Sequence, residues 1–308
     1  MTNIRHNIKK SIIKGSNIKS NISNFNIVNN LFNKNKFKDF LFSLKKNSLF
    51  LNQYPNATVA YSVFKLNSAY DGNCIRVRRS SGNTERDIGF VNNYLDIVSL
   101  LSFVGAGNGY VVKIYDQGGN SNDLVQPVAI NQPLIVNSGT LNTVGGKASI
   151  LFDGIDDYLD LIIPIANNNL FTSLSVIKRN SSGTLGIALQ DAYHGAGSGC
   201  YTPFCYSNDK IYLRSDDGFN ALDGTDSTAN QQLLSSIVNG STKVIYKNNS
   251  VLASTYNSSS ITSSFTSLGL FNNTIFGSGN FQEMILYGSD KTVDISAMNT
   301  NRMTAFGL

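Results

Sequence analysis

Acidic residues are the first candidates for chemistry in this chain of 308 residues, because glycoside hydrolysis needs only two carboxylates that flank a sugar. Glu283 lies in the β-prone run 281–287. Side chains alternate along a strand, so Glu283 is expected to share its face with Phe281 and Tyr287. An acid in such a position either has a pKa altered for catalysis or is a hydrogen-bonded structural residue. The sequence leaves both interpretations open.

The metal-ligating residues point to calcium more than to zinc. Clusters of carboxylate oxygens suit Ca²⁺, and four aspartates crowd one predicted turn: Asp153, Asp156, Asp157 and Asp160. Aspartate also favours turns for local reasons, so a plain turn is the alternative interpretation. Zinc sites usually need four Cys or His ligands at close spacing, which the three cysteines and two histidines do not provide. We therefore expect reduced thiols and no cofactor other than calcium.

Charge divides the chain into two parts. Residues 1–50 hold ten Lys or Arg and one acidic residue, a net charge of +9, whereas residues 51–308 hold fifteen basic and nineteen acidic residues, a net charge of −4. All five prolines and 25 of the 26 glycines lie beyond residue 50. We therefore predict a basic N-terminal arm over residues 1–55 and one folded domain, called the body below, over residues 56–308.

The arm combines short helical patterns with an extended, Asn- and Ser-rich stretch. Ile4, Ile8 and Ile12 recur every four residues, and a second helical period runs through residues 31–47. Three interpretations remain: a disordered tail, a docking arm that orders on a larger assembly, or a nucleic-acid binder whose Phe side chains stack on bases. The low Arg and Gly content disfavours nucleic acid. No apolar run reaches the roughly 18 residues of a membrane span, so we expect docking on other proteins and no membrane insertion.

The body contains short β-prone runs separated by clusters of Gly, Asn, Asp and Ser. Runs of this length and spacing are typical of an all-β sandwich and not of βαβ units. The predicted strands are Cys74–Arg79, Tyr110–Tyr115, Ala148–Phe152, Leu174–Arg179, Thr184–Leu189, Lys210–Arg214, Leu233–Val238, Lys243–Tyr246, Ser267–Phe271 and Phe281–Tyr287.

Turn and helix signals complete the expected layout of the body. Asn248 and Asn249 lie between two β-prone runs and predict a hairpin, because Asn tolerates the positive φ of tight turns. Helical periodicity predicts a few surface helices, over Val59–Tyr70, Tyr94–Val104 and Ile295–Phe306.

A series of stretches in fixed order carries a resemblance to a known module. They are 60–66, 75–81, 87–90, 103–109, Tyr115-Asp116-Gln117 with Asn120, 131–133, Phe152-Asp153-Gly154, 156–159 and 282–290. Together they resemble the concanavalin A-like (laminin-G-like) jelly-roll module that is common in tailed-phage structural and fibre proteins. The resemblance covers about residues 57–308 and implies a jelly-roll β-sandwich.

The Arg-rich run 75–79 and the Tyr115-Asp116-Gln117 turn are also similar to the catalytic domain of fungal α-L-arabinofuranosidases. That resemblance implies a Glu nucleophile and an Asp acid in a jelly-roll cleft, with the acid at Asp290. Where the nucleophile is expected, this chain has Asp216 and Asp217, whose shorter side chains retract the carboxylate by about one C–C bond. The adjacent cysteine pair of that family is also missing. These three aspartates are the catalytic candidates, and we expect a binding protein more than an enzyme.

The arm and the resemblance together imply a structural virion protein of a tailed bacteriophage, a head or tail fibre assembled in the host cytoplasm. The arm would anchor the protein to other virion proteins, and the jelly roll would face outward to bind a host-surface glycan. The resemblance to fibre proteins also implies a homotrimer, and symmetric assembly is the default for fibres. Tyrosines near a Gly-rich run are the candidate glycan contacts: Tyr193, Tyr201 and Tyr206. The alternative function is a glycoside hydrolase or depolymerase of the arabinofuranosidase type.

Overall fold

The computed structural model describes residues 49–191, 200–205, 208–214, 220–225, 229–240, 242–256 and 263–308. Within these residues every strand pair is antiparallel, and the strands form a β-sandwich with three helices. None of the described helices has the length and apolar character needed to cross a membrane.

The helices and strands have the following bounds. The helices are α1 (Phe50–Gln53), α2 (Ile97–Val104) and α3 (Ile295–Phe306), and Ala129–Asn131 forms one 3₁₀ turn. The strands are β1 (Val59–Ser62), β2 (Ile75–Arg79), β3 (Glu85–Ile88), β4 (Phe90–Val91), β5 (Tyr94–Leu95), β6 (Gly109–Ile114), β7 (Leu124–Val125), β8 (Leu134–Asn137), β9 (Thr140–Leu141), β10 (Thr143–Val144), β11 (Lys147–Ala148), β12 (Ile150–Asp153), β13 (Leu159–Asn167), β14 (Leu170–Arg179), β15 (Leu189–Gln190), β16 (Tyr201–Cys205), β17 (Lys210–Arg214), β18 (Asn220–Thr225), β19 (Gln232–Asn239), β20 (Thr242–Lys247), β21 (Ser250–Tyr256), β22 (Ser263–Leu268), β23 (Leu270–Phe271), β24 (Ile275–Phe276) and β25 (Ser278–Tyr287).

Two runs of paired strands make the layers of the sandwich. In the run that we call the front sheet, β25 pairs with β14 on one side and with β1 and β12 on the other, and β14 continues through β19 and β20 to β21. In the back sheet the order is β3, β2, β6, β7, β13, β22, β15, β16, β17, β18. Phe171 of β14 packs edge-on against Phe265 of β22, with ring centroids 5.2 Å apart, so the main core lies between the sheets.

The all-β prediction is confirmed, and so are the predicted hairpin and the C-terminal helix. Strands β20 and β21 pair around Asn248 and Asn249, whose φ values of 46° and 65° are those of a tight turn. Helix α2 begins at Ile97, after a hairpin of β4 and β5, because the Asp96 carboxylate caps it by accepting the Ser99 N–H.

Two predictions of local structure are wrong. The helix predicted over Val59–Tyr70 is absent, because residues 59–62 form β1 and are buried on both faces. A strand buried on both faces is apolar throughout, and its sequence therefore lacks the alternation that marks a half-buried strand. The strand predicted over Thr184–Leu189 is limited to its last residue, Leu189, which begins β15.

Packing already begins within the stretch that the charge pattern assigns to the arm. Phe50 and Leu51 are buried in the main core, and the Leu51 N–H donates to the Leu66 carbonyl. The described body therefore includes residues 49–55. Residues 1–48 lie outside the described residues, and the docking arm stays a prediction.

A buried ion pair joins the C-terminal helix to the front sheet. Glu283 of β25 is fully buried and binds the Arg302 guanidinium of α3 through two hydrogen bonds of 2.6 Å. The Ser62 hydroxyl of β1 donates to the same carboxylate at 2.7 Å. The guanidinium also lies between the rings of Phe50 and Phe306, 5.1 and 5.4 Å from their centroids. Glu283 is therefore a structural residue, which settles the question that the sequence left open.

The Tyr115-Asp116-Gln117 turn also has a structural role. Asp116 is buried, and its carboxylate accepts the backbone N–H groups of Ala60 and Gly118 at 2.9 and 2.7 Å. Gln117 accepts the Leu66 N–H and donates to the carbonyls of residues 62 and 64. The turn that carries the family resemblance thus attaches the loop after β6 to β1.

Replacing Arg302 tests the ion pair. Arg302→Met leaves the Glu283 carboxylate buried without its cation, and we expect the free energy of unfolding to fall by about 3–5 kcal/mol. Chemical denaturation of the purified chain measures the change. The matched control is Arg76→Met, which breaks a bidentate pair with Asp87 whose side chains are 39% and 31% exposed, and we expect it to cost about 1 kcal/mol or less. Equal losses in the two variants would contradict the assignment.

Candidate functional site

Asp290, the predicted catalytic acid, lies in the exposed turn that follows β25. Its Oδ1 accepts the Thr292 N–H and hydroxyl at 2.7 and 2.5 Å, and its Oδ2 accepts the Asn239 side-chain amide at 2.7 Å. The hydrogen bonds from Thr292 hold the pKa of Asp290 below its usual range. A general acid needs a pKa raised towards neutrality, so this environment favours a turn-forming carboxylate.

The partner carboxylates predicted for Asp290, Asp216 and Asp217, lie outside the described residues. Tyr193 and Tyr206, two of the three predicted glycan contacts, also lie outside them. The catalytic pair and these two tyrosines therefore remain predictions.

Tyr201, the third predicted glycan contact, belongs to an aromatic surface on the back sheet. Its ring centroid lies 5.6 Å from that of Phe204 and 6.0 Å from that of Phe271, and Phe204 lies 6.3 Å from Tyr212. Tyr201 and Tyr212 are half-buried, whereas Phe204 and Phe271 are buried beneath them with Leu185. We call these four aromatic residues the aromatic shelf.

Strand alternation explains why the shelf is separate from the main core. Cys205 of β16 and Ile211 and Leu213 of β17 are main-core residues. Their neighbours along the strands, Phe204 and Tyr212, therefore face the opposite side of the back sheet. We call that side the outer face.

Polar groups border the shelf. The Asn208 side-chain amide donates to the Tyr212 hydroxyl at 2.8 Å. Asp209 binds the Ser182 hydroxyl at 2.6 Å and the guanidinium of the buried Arg179 at 2.6 Å. The hydrogen bond from Ser182, with further bonds from Gly183 and Arg179, lowers the pKa of Asp209 to about 2. Asn208 thus places an amide beside Tyr212, and the next residue, Asp209, is an ionised carboxylate bound to Ser182, Gly183 and Arg179.

A row of polar side chains continues from the shelf across the outer face. Gln190 lies opposite Tyr201 on one side and opposite Ser267 on the other, and Ser267 lies opposite Asp160. The Ser267 hydroxyl donates to the Asp160 carboxylate. Gln190 and Tyr212 are not among the site residues predicted from the sequence. A predicted pairing of β16 with β17 would have suggested Tyr212, because it lies opposite Phe204. Strand β15 has only two residues, too few for a sequence pattern that could have suggested Gln190.

The calcium candidates Asp153, Asp156 and Asp157 lie together in the turn after β12, with one carboxylate oxygen of each within 4.8 Å of the others. Asp157 is buried and accepts the Asp153 N–H at 2.9 Å. Burial, with the charges of Asp153 and Asp156, raises the pKa of Asp157 to about 7. Oxygen ligands of this kind suit Ca²⁺, while the hydrogen bonds within the turn are equally those of a plain Asx turn.

Solved arabinofuranosidases share this fold. A GH54 α-L-arabinofuranosidase soaked with 4-nitrophenyl α-L-arabinofuranoside matches with a TM-score of 0.65 and 15% identity, over 81% of this chain and 63% of that chain. The two chains share a β-sandwich fold. An arabinofuranosidase complexed with arabinofuranosyl-α-1,2-xylobiose matches with a TM-score of 0.61 and 15% identity, over 81% of this chain and 62% of that one.

This chain therefore spans less than two thirds of the length of these arabinofuranosidases. No protein-family model and no curated protein matches the sequence. At 15% identity the likeness establishes the fold alone, and the arabinofuranosidase resemblance read from residues 75–79 and 115–117 is confirmed at that level.

The raised pKa of Asp157 predicts a pH dependence of stability. The folded chain keeps the Asp157 proton up to about pH 7, whereas the unfolded chain loses it near pH 4. Stability from this group is therefore present at low pH and is lost as pH rises from about 4 to about 7. We expect Asp157→Asn to flatten the fall of the thermal midpoint over this range, in buffer that contains EDTA. If the thermal midpoint falls with pH equally in the wild-type chain and in Asp157→Asn, Asp157 is not the group responsible.

The same experiment with calcium tests the metal prediction. Ca²⁺ needs the ionised carboxylates, so binding would raise the thermal midpoint at pH 7.5 more than at pH 5. We expect Asp156→Ala to remove that increase. An identical thermal midpoint with calcium and with EDTA at pH 7.5 would show that the three aspartates form a plain turn that does not bind calcium.

Proposed function

We propose that the chain is a carbohydrate-binding appendage protein of a tailed bacteriophage virion. In this proposal the jelly-roll body binds a host-surface glycan through the aromatic shelf, and residues 1–48 attach the protein to the particle. The aromatic shelf is the observation that carries the glycan part. The unequal charges of the two parts of the chain, +9 over residues 1–50 and −4 beyond, support the attachment part.

The chemistry of the shelf suits a sugar. A pyranose or furanose ring has an apolar C–H face and a hydroxyl edge, and Tyr presents an apolar ring face with a polar tip. Tyr201 and Tyr212 offer two such rings, and the exposed Asn208 amide beside Tyr212 is a polar group that can bond to sugar hydroxyls. Solved structures of the same fold include arabinofuranosidases with arabinofuranoside ligands, which is consistent with a sugar at this scaffold.

Truncating the shelf tests the glycan part of the proposal. We expect Tyr201→Ala and Tyr212→Ala each to weaken binding to the best ligand of a glycan array by roughly tenfold, because each removes a stacking ring. Tyr201→Phe keeps the ring and should retain most of the affinity. The control is Tyr94→Ala, which alters a tyrosine of β5 that is 55% exposed. Wild-type affinity in both alanine variants of the shelf would rule the site out.

A glycoside hydrolase is the second candidate function, because the matched solved structures are arabinofuranosidases. It would use Asp290 as the acid with Asp216 or Asp217. The lowered pKa of Asp290 argues against an acid, since the group is ionised at neutral pH. We therefore expect no release of reducing sugar from arabinose-containing or capsular glycans. Turnover that Asp290→Asn abolishes would establish the hydrolase instead.

Deleting residues 1–48 tests the attachment part. The deletion keeps Phe50 and Leu51 in the core, so the body should fold and bind glycan as the full chain does. We expect the shortened protein to be missing from purified phage particles that incorporate the full chain. Normal incorporation would refute the docking arm. Light scattering of the full chain tests the homotrimer that belongs to the same proposal.

A further inference from the structure

Gln190 is the most unusual polar residue on the outer face of the back sheet. It has no exposed surface, yet neither its amide nitrogen nor its amide oxygen has a hydrogen-bond partner among the described residues. Buried polar groups in native proteins are nearly always paired, and an unpaired one calls for an explanation such as a ligand. An unpaired amide side chain offers two donors and one acceptor to whatever reaches it.

The neighbours of Gln190 show where such a ligand would come from. Tyr201 lies directly opposite Gln190, and residues so paired have Cβ atoms about 4.5–5.5 Å apart. A sugar ring on the Tyr201 side of the shelf is about as wide as that separation, so its hydroxyls would fall at the Gln190 amide. Gln190 is fully buried, so a ligand reaches its amide only when the side chains that cover it move.

The remaining neighbours indicate the charge of the ligand. On the other side of Gln190, the Ser267 hydroxyl donates its hydrogen bond to Asp160. Ser267 therefore has no hydroxyl hydrogen left to donate to the carboxylate of an acidic sugar. Asp160 lies two strand spacings from Gln190, roughly 10 Å away. The body as a whole carries a net charge of −4. A neutral polyhydroxyl ligand therefore suits this position better than a uronic or other acidic sugar.

We propose that Gln190 lines a subsite beside the aromatic shelf that binds a pair of hydroxyls of a neutral sugar. The inference rests on the proposed glycan-binding function. It adds the residue that selects the sugar, Gln190, and the charge class of that sugar, which is neutral. Gln190 is a binding residue in this account. Without ligand its amide is an unsatisfied group that destabilises the body.

The test uses stability and binding together, with Gln190→Leu and Gln190→Met in the full chain. Removing an unpaired buried amide relieves its cost, so we expect the thermal midpoint of both variants to rise by about 2–4 °C. The matched control is Gln117→Leu, which removes a buried amide whose atoms are paired with residues 62, 64 and 66. We expect that control to lower the midpoint. A comparable fall in both Gln190 variants would show that the amide is a structural partner and would overturn the proposal.

Binding is measured on matched neutral and uronic-acid-bearing oligosaccharides. We expect the wild-type chain to prefer the neutral member by at least about twofold, and both Gln190 variants to lose roughly tenfold in affinity for it. Unchanged affinity in the variants would overturn the subsite and leave the glycan function standing. Equal or tighter wild-type binding of the acidic member would overturn the neutral class. No binding by the wild-type chain to any oligosaccharide would overturn the subsite and the glycan function together.

Discussion

The ion pair between Glu283 and Arg302 is the interaction on which the arrangement of the body depends. Glu283 lies on β25, the strand that pairs with β1, β12 and β14 and so holds the front sheet together. Arg302 brings α3 onto that strand, and its contacts with Phe50 and Phe306 enclose both charges. A buried charge that lost its partner would be costly, so this pair fixes where the two ends of the described chain meet.

Several acidic side chains are already bound to other groups of the scaffold, which limits the carboxylates that remain for function. The Glu283 carboxylate binds the Arg302 guanidinium, and the Asp116 carboxylate accepts a backbone N–H of β1. The Asp290 carboxylate accepts hydrogen bonds within its own turn. The Glu283 and Asp116 carboxylates are thus parts of the scaffold, whereas the catalytic candidates Asp216 and Asp217 lie outside the described residues. The outer face of the back sheet, in contrast, carries two half-buried tyrosine rings and, beside Tyr201, the buried unpaired amide of Gln190. Those groups suit recognition of a neutral, hydroxyl-rich ligand more than bond cleavage.

The sequence predicted the β-sandwich well because its signals are local. Asn248 and Asn249 marked a tight turn, and short β-prone runs between clusters of turn residues marked strands such as β17 and β19. It failed at Val59–Ser62, because burial on both faces removes the alternation that identifies a strand. Residue type and Gly-rich surroundings made Tyr201 a candidate, which stays a prediction. The sequence could not suggest Gln190, because its place in the proposal depends on strand pairing and on its missing hydrogen bonds. The role of Glu283 stayed open because its partner lies on α3, a different element.

The most direct test of this account is a crystal structure of the body with a bound neutral oligosaccharide. The account predicts a sugar ring stacked on Tyr201 or Tyr212, with the Gln190 amide hydrogen-bonded to two of its hydroxyls. A sugar bound instead across Asp290, with a second carboxylate on its opposite side, would contradict it. That arrangement would show a glycoside hydrolase site and would leave the aromatic shelf as part of the scaffold.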